Sequence, residues 1–167
     1  MLDATHRRQI LLDEMNALHE RGVNCFQCPG HCCTSVANSM MVTPWETQDV
    51  MGFLTTNNLL TSELKIRLLE TVRKFRLDGP ILGNGRRSYL RRTYDCPFFA
   101  SKSLGCTLPK EVKPYGCLGF NATLPNESEG KSCTSNQAVL LKRDELAPDV
   151  SGEKLPLPVA LLRMWPV

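Results

Sequence analysis

The sequence predicts a small, α-rich α+β domain, on three observations. Apolar residues recur at helical spacing through the first half, eight cysteines crowd into stretches punctuated by glycine and proline, and Ser88–Tyr94 has the aromatic and threonine-bearing composition of a short strand. With 167 residues, 42% of them hydrophobic, the chain is long enough to bury about two-thirds of the surface that its unfolded form exposes. One domain over residues 1–167 is therefore expected, and it needs no cross-links merely to fold.

Asp3 to Arg21 reads as an amphipathic helix with Leu11, Met15 and Leu18 on one stripe and Gly22 as its stop. Thr43-Pro44-Trp45-Glu46 has the arrangement of a capping box, with a hydroxyl at the cap and proline at the first helical position. A second helix should run from there to about Leu54, burying Val50, Met51 and Leu54. Thr61 or Ser62 opens a third, in which Leu64, Leu68, Val72 and Phe75 fall on one face before Asp78-Gly79-Pro80 breaks it. Ser88–Tyr94 is expected to form a hairpin with the Thr107 region, and Asn136–Glu145 a last helix. Leu155-Pro156-Leu157-Pro158 then reads as part of an extended tail, over about 147–167, that ends in Trp165.

Met1 to Gly22 carries charges every few residues and has no unbroken apolar run of the kind a secretory signal or membrane span requires. A cytoplasmic location without membrane association is the expectation. The net charge of +3 conceals an asymmetry, because Lys65, Arg67, Arg73, Lys74, Arg76, Arg86, Arg87, Arg91 and Arg92 face only Glu70 and Asp78 within 65–92. That stretch is +7 and the remainder −4. It reads as a solvated helix face and hairpin rim, with docking of an acidic protein as the alternative and nucleic acid behind it.

In a reducing compartment a cluster of cysteines points to metal binding or redox chemistry before disulfides. Cys25, Cys28, Cys32 and Cys33 lie within nine residues, and the two-residue gap between the first pair lets both thiols reach one ion through a tight turn. Pro29 and Gly30 supply the bends, glycine tolerating positive φ. Adjacent Cys32 and Cys33 tend to point apart, so one of them could serve a second ion. Cys96, Cys106, Cys117 and Cys133 each sit beside glycine, proline or a small polar residue. Eight thiols suffice for two four-ligand zinc sites or for one iron–sulfur cluster and one zinc, and spacing leaves the partition open. The expected architecture is thus a cysteine core over about 25–140, with cysteine-rich loops and the hairpin organised around metal sites. His31 is assigned a supporting role beside the thiols; His6 and His19 receive none.

The cluster, Cys96-Pro97-Phe98, Cys106-Thr107-Leu108, Lys113-Pro114-Tyr115-Gly116-Cys117 and Cys133 follow one another in an order that resembles the CxxCxxCC-type family of zinc- or iron-chelating proteins, which includes flagellin lysine N-methylases. The resemblance covers about Cys25 to Val139. It departs from the family pattern in having three residues between Cys28 and Cys32, Pro109 where tyrosine is common, and Lys113 and Leu118 in place of arginines. Losing two planar guanidinium forks weakens any inherited anion-binding or catalytic role more than it weakens metal binding. The resemblance implies a zinc or iron cofactor, an iron–sulfur cluster included, held in a structural, carrier or sensing role. A methyltransferase-like enzyme is the alternative it carries, yet no glycine-rich cofactor loop and no nucleophile with a placed base accompany it. An adaptor using the basic stretch is a third reading. A thiol switch at Cys25 and Cys28 lacks the strand–helix context of thioredoxin-like motifs.

Overall fold

The structure, a computed structural model, describes residues 4–22, 30–79, 92–100, 105–122, 133–135 and 153–166. Among the described residues there are five helices: α1 (Ala4–Glu20), α2 (Pro44–Thr56), α3 (Ser62–Phe75), the single turn α4 (Tyr115–Leu118) and α5 (Leu157–Arg163). Two short antiparallel ladders join them. β1 (Met41–Val42) pairs with β4 (Leu155–Pro156), Met41 opposite Pro156, and β2 (Phe120–Ala122) pairs with β3 (Cys133–Ser135), Ala122 opposite Cys133. The helix-rich α+β class is therefore as the sequence predicts.

The helix signals work as their chemistry requires. The Thr43 N–H donates to Glu46 Oε2 at 2.8 Å while the Glu46 N–H donates to Thr43 Oγ1 at 3.3 Å, the reciprocal pairing of a capping box. Thr61 Oγ1 accepts from the Leu64 N–H at 3.2 Å and opens α3. That helix ends one turn before the Asp78-Gly79-Pro80 breaker, because Arg76 takes the left-handed conformation with φ 52° and closes it. At the end of α1, Gly22 adopts φ 82° and its N–H donates to the His19 carbonyl at 3.0 Å.

The main core lies between α2, α3 and α5. Val50, Leu54, Leu64 and Leu68 meet Leu157, Ala160 and Leu161 there, with Leu68 and Leu161 at 0% exposure. The expected extended tail is thus partly a helix inserted into the core. Pro158 sits in the first turn of α5, where a missing N–H costs nothing, and the apolar run after it is covered by the two longer helices. Leu155–Pro156, the extended part, is held by β1.

The hairpin expected from Ser88–Tyr94 is described only over residues 92–94. Residues 92–95 form no strand, and the antiparallel bridge to the Thr107 region comes from Phe99, paired with Cys106. The Thr107 N–H donates to the Phe98 carbonyl at 2.8 Å and the Ala100 N–H to the Gly105 carbonyl at 2.9 Å. Tyr94 is buried instead, its hydroxyl donating to the Met40 carbonyl at 2.7 Å and accepting from the Leu157 N–H at 3.3 Å. An aromatic residue with a polar tip is as well suited to this junction as to a strand. The helix expected at Asn136–Glu145, most of the Ser88–Tyr94 segment and the Arg86–Arg91 part of the basic stretch lie outside the described residues.

A polar node docks α1. Arg8 pairs with Asp49 at 2.6 Å, donates to the Glu111 carbonyl and lies over the Tyr115 ring at 5.2 Å from its centroid. Glu46 accepts from the Tyr115 N–H at 2.8 Å through Oε1, so one buried carboxylate caps both α2 and α4. Around it, Leu11, Leu12 and Met15 of α1 pack on Tyr115 and Leu118. Among the described residues no helix is long and apolar enough to cross a membrane.

Candidate metal centre

Three segments converge below this helical layer. The loop before β1 begins with a 3₁₀ turn over His31–Cys33, formed when the Cys33 N–H donates to the Gly30 carbonyl at 2.8 Å. Gly30 takes φ 82°, and a Cβ there would fall 2.1 Å from the Phe99 ring, so only glycine allows the aromatic side chain to close over this loop. The Cys96 N–H donates to the Cys33 carbonyl at 2.7 Å and the Tyr94 N–H to the Asn38 carbonyl at 2.9 Å. Asn38 Nδ2 returns a bond to the Tyr94 carbonyl at 2.9 Å. These bonds tie the Cys32 loop to the Cys96 segment as firmly as a short ladder would.

Asp95 reinforces the same junction by accepting from the Ser35 N–H at 2.8 Å and from Lys74 Nζ at 3.0 Å. Burial alone would raise its pKa, but the Ser35 bonds and the Lys74 ammonium together outweigh that and hold the carboxyl below its ordinary value.

The third segment runs from Cys106 through the 3₁₀ turn Lys110–Val112 to α4, which places Cys117 on its only turn. The outcome is a group of four thiols, Cys32, Cys96, Cys106 and Cys117, from separate parts of the chain. Cys96 and Cys117 lie within electrostatic range of each other and of Cys32 and Cys106, and both feel the Lys113 ammonium. Burial pushes the Cys96 thiol up to about 12, the neighbouring Cys106 and Cys32 add to this, and the Phe98 N–H and Lys113 oppose it. Cys117 is likewise held well above the ordinary thiol range, first by burial and then by Cys96 and Cys106. In a metal-free chain the Cys96 and Cys117 sulfurs are therefore neutral at pH 7.

Cys32, Cys33, Cys96, Cys106 and Cys117 are only partly exposed, and no disulfide joins any two of them. Of the adjacent pair, Cys32 is the one in range of Cys96 and Cys117. Cys33 contributes its carbonyl to Cys96. Cys133 is described through its backbone in β3, and Cys25 and Cys28 lie outside the described residues.

Among the described residues no three His, Cys, Asp or Glu side chains stand in coordinating geometry. Cys32 and Cys106 stand within electrostatic range of Cys96 and Cys117, and Lys113, 3% exposed, lies in range of the last two. Closing on an ion requires the sulfurs to draw together. Bound there, zinc would supply a closed, redox-silent link between segments, whereas iron–sulfur would supply an electron-transfer or sensing centre.

Lys113 is the site residue that the sequence reading did not assign. Its signal was present, since Lys113-Pro114-Tyr115-Gly116-Cys117 places a cation four residues before a cysteine, but its burial depends on the packing of α4. The described part of the basic stretch on α3 is exposed as expected, with surface contacts: Lys74 pairs with Asp95, Arg67 donates to the Pro97 carbonyl at 3.0 Å, and Lys65 lies 5.9 Å from the Trp165 ring centroid. Arg73 and Arg76 remain exposed. No family model, curated protein or solved structure matches the chain.

Proposed function

We propose that the chain binds zinc or iron, the iron alone or as an iron–sulfur cluster, through Cys32, Cys96, Cys106 and Cys117, and that it belongs with the cysteine-cluster chelating proteins that it resembles. The observation that supports this reading is that four thiols from three segments stand within electrostatic range around Cys96 and Cys117, beside one buried lysine. A bound cation would reverse the protonation of these sulfurs, because metal binding draws the proton off each thiol that it ligates. Cys25, Cys28, Cys33 and Cys133 are the further ligands of this proposal, and the role is structural, carrier or sensing.

The experiment is elemental analysis of untagged chain purified without oxygen, with absorption spectra before and after substitution by cobalt. At least about one zinc or iron per chain and a thiolate-to-cobalt charge-transfer band are expected. Changing Cys96 and Cys117 together to serine should abolish both. A wild-type chain that holds neither metal, and whose thiols all titrate freely while it is folded, overturns the reading.

A further inference from the structure

The outer face of α3 presents apolar groups as well as charge. Leu64, Leu68, Thr71 and Val72 are buried, whereas Ile66 is 54% and Leu69 49% exposed. Three residues apart, these two aliphatic side chains are neighbours on the helix surface, and Arg73 continues their row one turn on. Arg76 follows at the C-cap, also exposed. The other cations of the helix are engaged within the chain: Lys65 with the Trp165 ring, Arg67 with the Pro97 carbonyl and Lys74 with Asp95. Arg73 and Arg76 take no part in an ion pair among the described residues. From Thr61 to Arg76 five cations stand against two carboxylates, Glu63 and Glu70.

We propose that this face docks an acidic, amphipathic helix of a partner protein. Ile66 and Leu69 form its apolar centre, and Arg73 and Arg76 bind carboxylates that stand about one turn beyond the partner's own apolar residues. The combination selects this occupant. A nucleic acid has no use for two adjacent aliphatic side chains, and an anionic membrane surface would be repelled by Glu63 and Glu70, the helical neighbours of Ile66 on either side. With 14 residues, α3 is about 21 Å long, which places the complex among small, transient interfaces. The proposal is independent of the metal-binding reading and needs no ion.

The probe is a capped, fluorescent synthetic peptide of about 18 residues, with leucines at i, i+3, i+4 and i+7 and glutamates on the flanks of that stripe. Its anisotropy on addition of full-length chain should show saturable binding that weakens roughly tenfold as salt rises from about 50 to 300 mM. The same peptide with lysine in place of glutamate should not bind. Ile66→Gln with Leu69→Gln, and separately Arg73→Glu with Arg76→Glu, should each weaken binding roughly tenfold or more, with circular dichroism as in wild type. Absence of binding, equal binding of the lysine peptide, or undiminished binding by either folded variant overturns the proposal; the first two results need no variant. Tighter binding of duplex DNA or of phosphatidylserine vesicles, abolished by the same arginine changes, overturns it as well. A wild-type dimer in sedimentation that Leu69→Gln dissociates would give the face to a second copy of the chain and also overturn it.

Discussion

Val50, Leu54, Leu64, Leu68 and Leu161 meet across three helices and shed water without help from any ligand, whereas the segments 30–40 and 92–119 are joined through backbone bonds, one buried tyrosine and a group of thiols. The first region is stabilised by apolar area, which is present whatever the solution contains. The second places sulfur and an ammonium where hydrocarbon would pack better. On the proposed reading, the helical layer is the scaffold and the loops beneath it are the part whose stability depends on bound metal.

The largest effect expected is in the scaffold. Leu68→Ala should cost about 2–5 kcal/mol, the range for a large-to-small change in a closed core. The loss should be the same in metal-free and metal-loaded chain, as read by urea unfolding; a loss found only in the loaded form would mean that the helical layer is not independent of the site. Glu46→Ala comes next, because this one carboxylate caps α2 and holds the Tyr115 N–H of α4. A cost of about 2–4 kcal/mol is expected from two lost caps and a buried N–H left unpaired. Fraying confined to α2 by hydrogen exchange, with α4 protected, would contradict the shared role.

Changing Cys96 and Cys117 together to serine should separate the regions. The melting temperature of loaded chain should fall by several degrees, the scale of a lost structural metal, while that of metal-free chain moves by less than about 3 °C. Equal falls in the two forms would show the thiols to be core packing alone.

The two forms should also respond oppositely to pH. The folded Cys96 thiol is raised to about 12, so its contribution to the metal-free chain is complete below the unfolded thiol value of about 8.5 and disappears as pH rises between the two. Loaded chain should instead weaken on acidification, as protons compete for the sulfurs. Asp95, held below its ordinary value, adds acid-side loss in either form as pH falls through its titration. Urea midpoints from pH 4 to 11 give the comparison, and alkaline loss of equal size with and without metal would break it. The smallest effect concerns the exposed rim: Arg73→Glu with Arg76→Glu should change stability by no more than about 0.5 kcal/mol. A larger loss would place these guanidinium groups in the fold rather than on its surface.

Much of the scaffold could be read before any coordinates, because its signals are local. A threonine three residues before a glutamate, proline at a first helical position, and leucines at helical intervals act within one or two turns, and α1, α2 and α3 fall where those residues put them. The expectation of sulfur chemistry from the eight cysteines likewise rests on residue type alone. Which thiols meet is a different kind of fact. Cys32, Cys96, Cys106 and Cys117 come together only after the Cys33 carbonyl accepts from Cys96, Phe99 closes on Gly30 and pairs with Cys106, and the Glu46 carboxylate positions α4. Apart from the Phe99–Cys106 bridge, those contacts join residues tens of positions apart, so no short window of sequence contains them. The same holds for Lys113, buried by a helix cap on another segment, and for Leu157–Arg163, where a Leu-Pro repeat that is extended in isolation becomes a helix because α2 and α3 offer it an apolar surface. Local propensity determined the elements, and the free energy of burying their faces against distant partners decided the core, the thiol group and its countercharge.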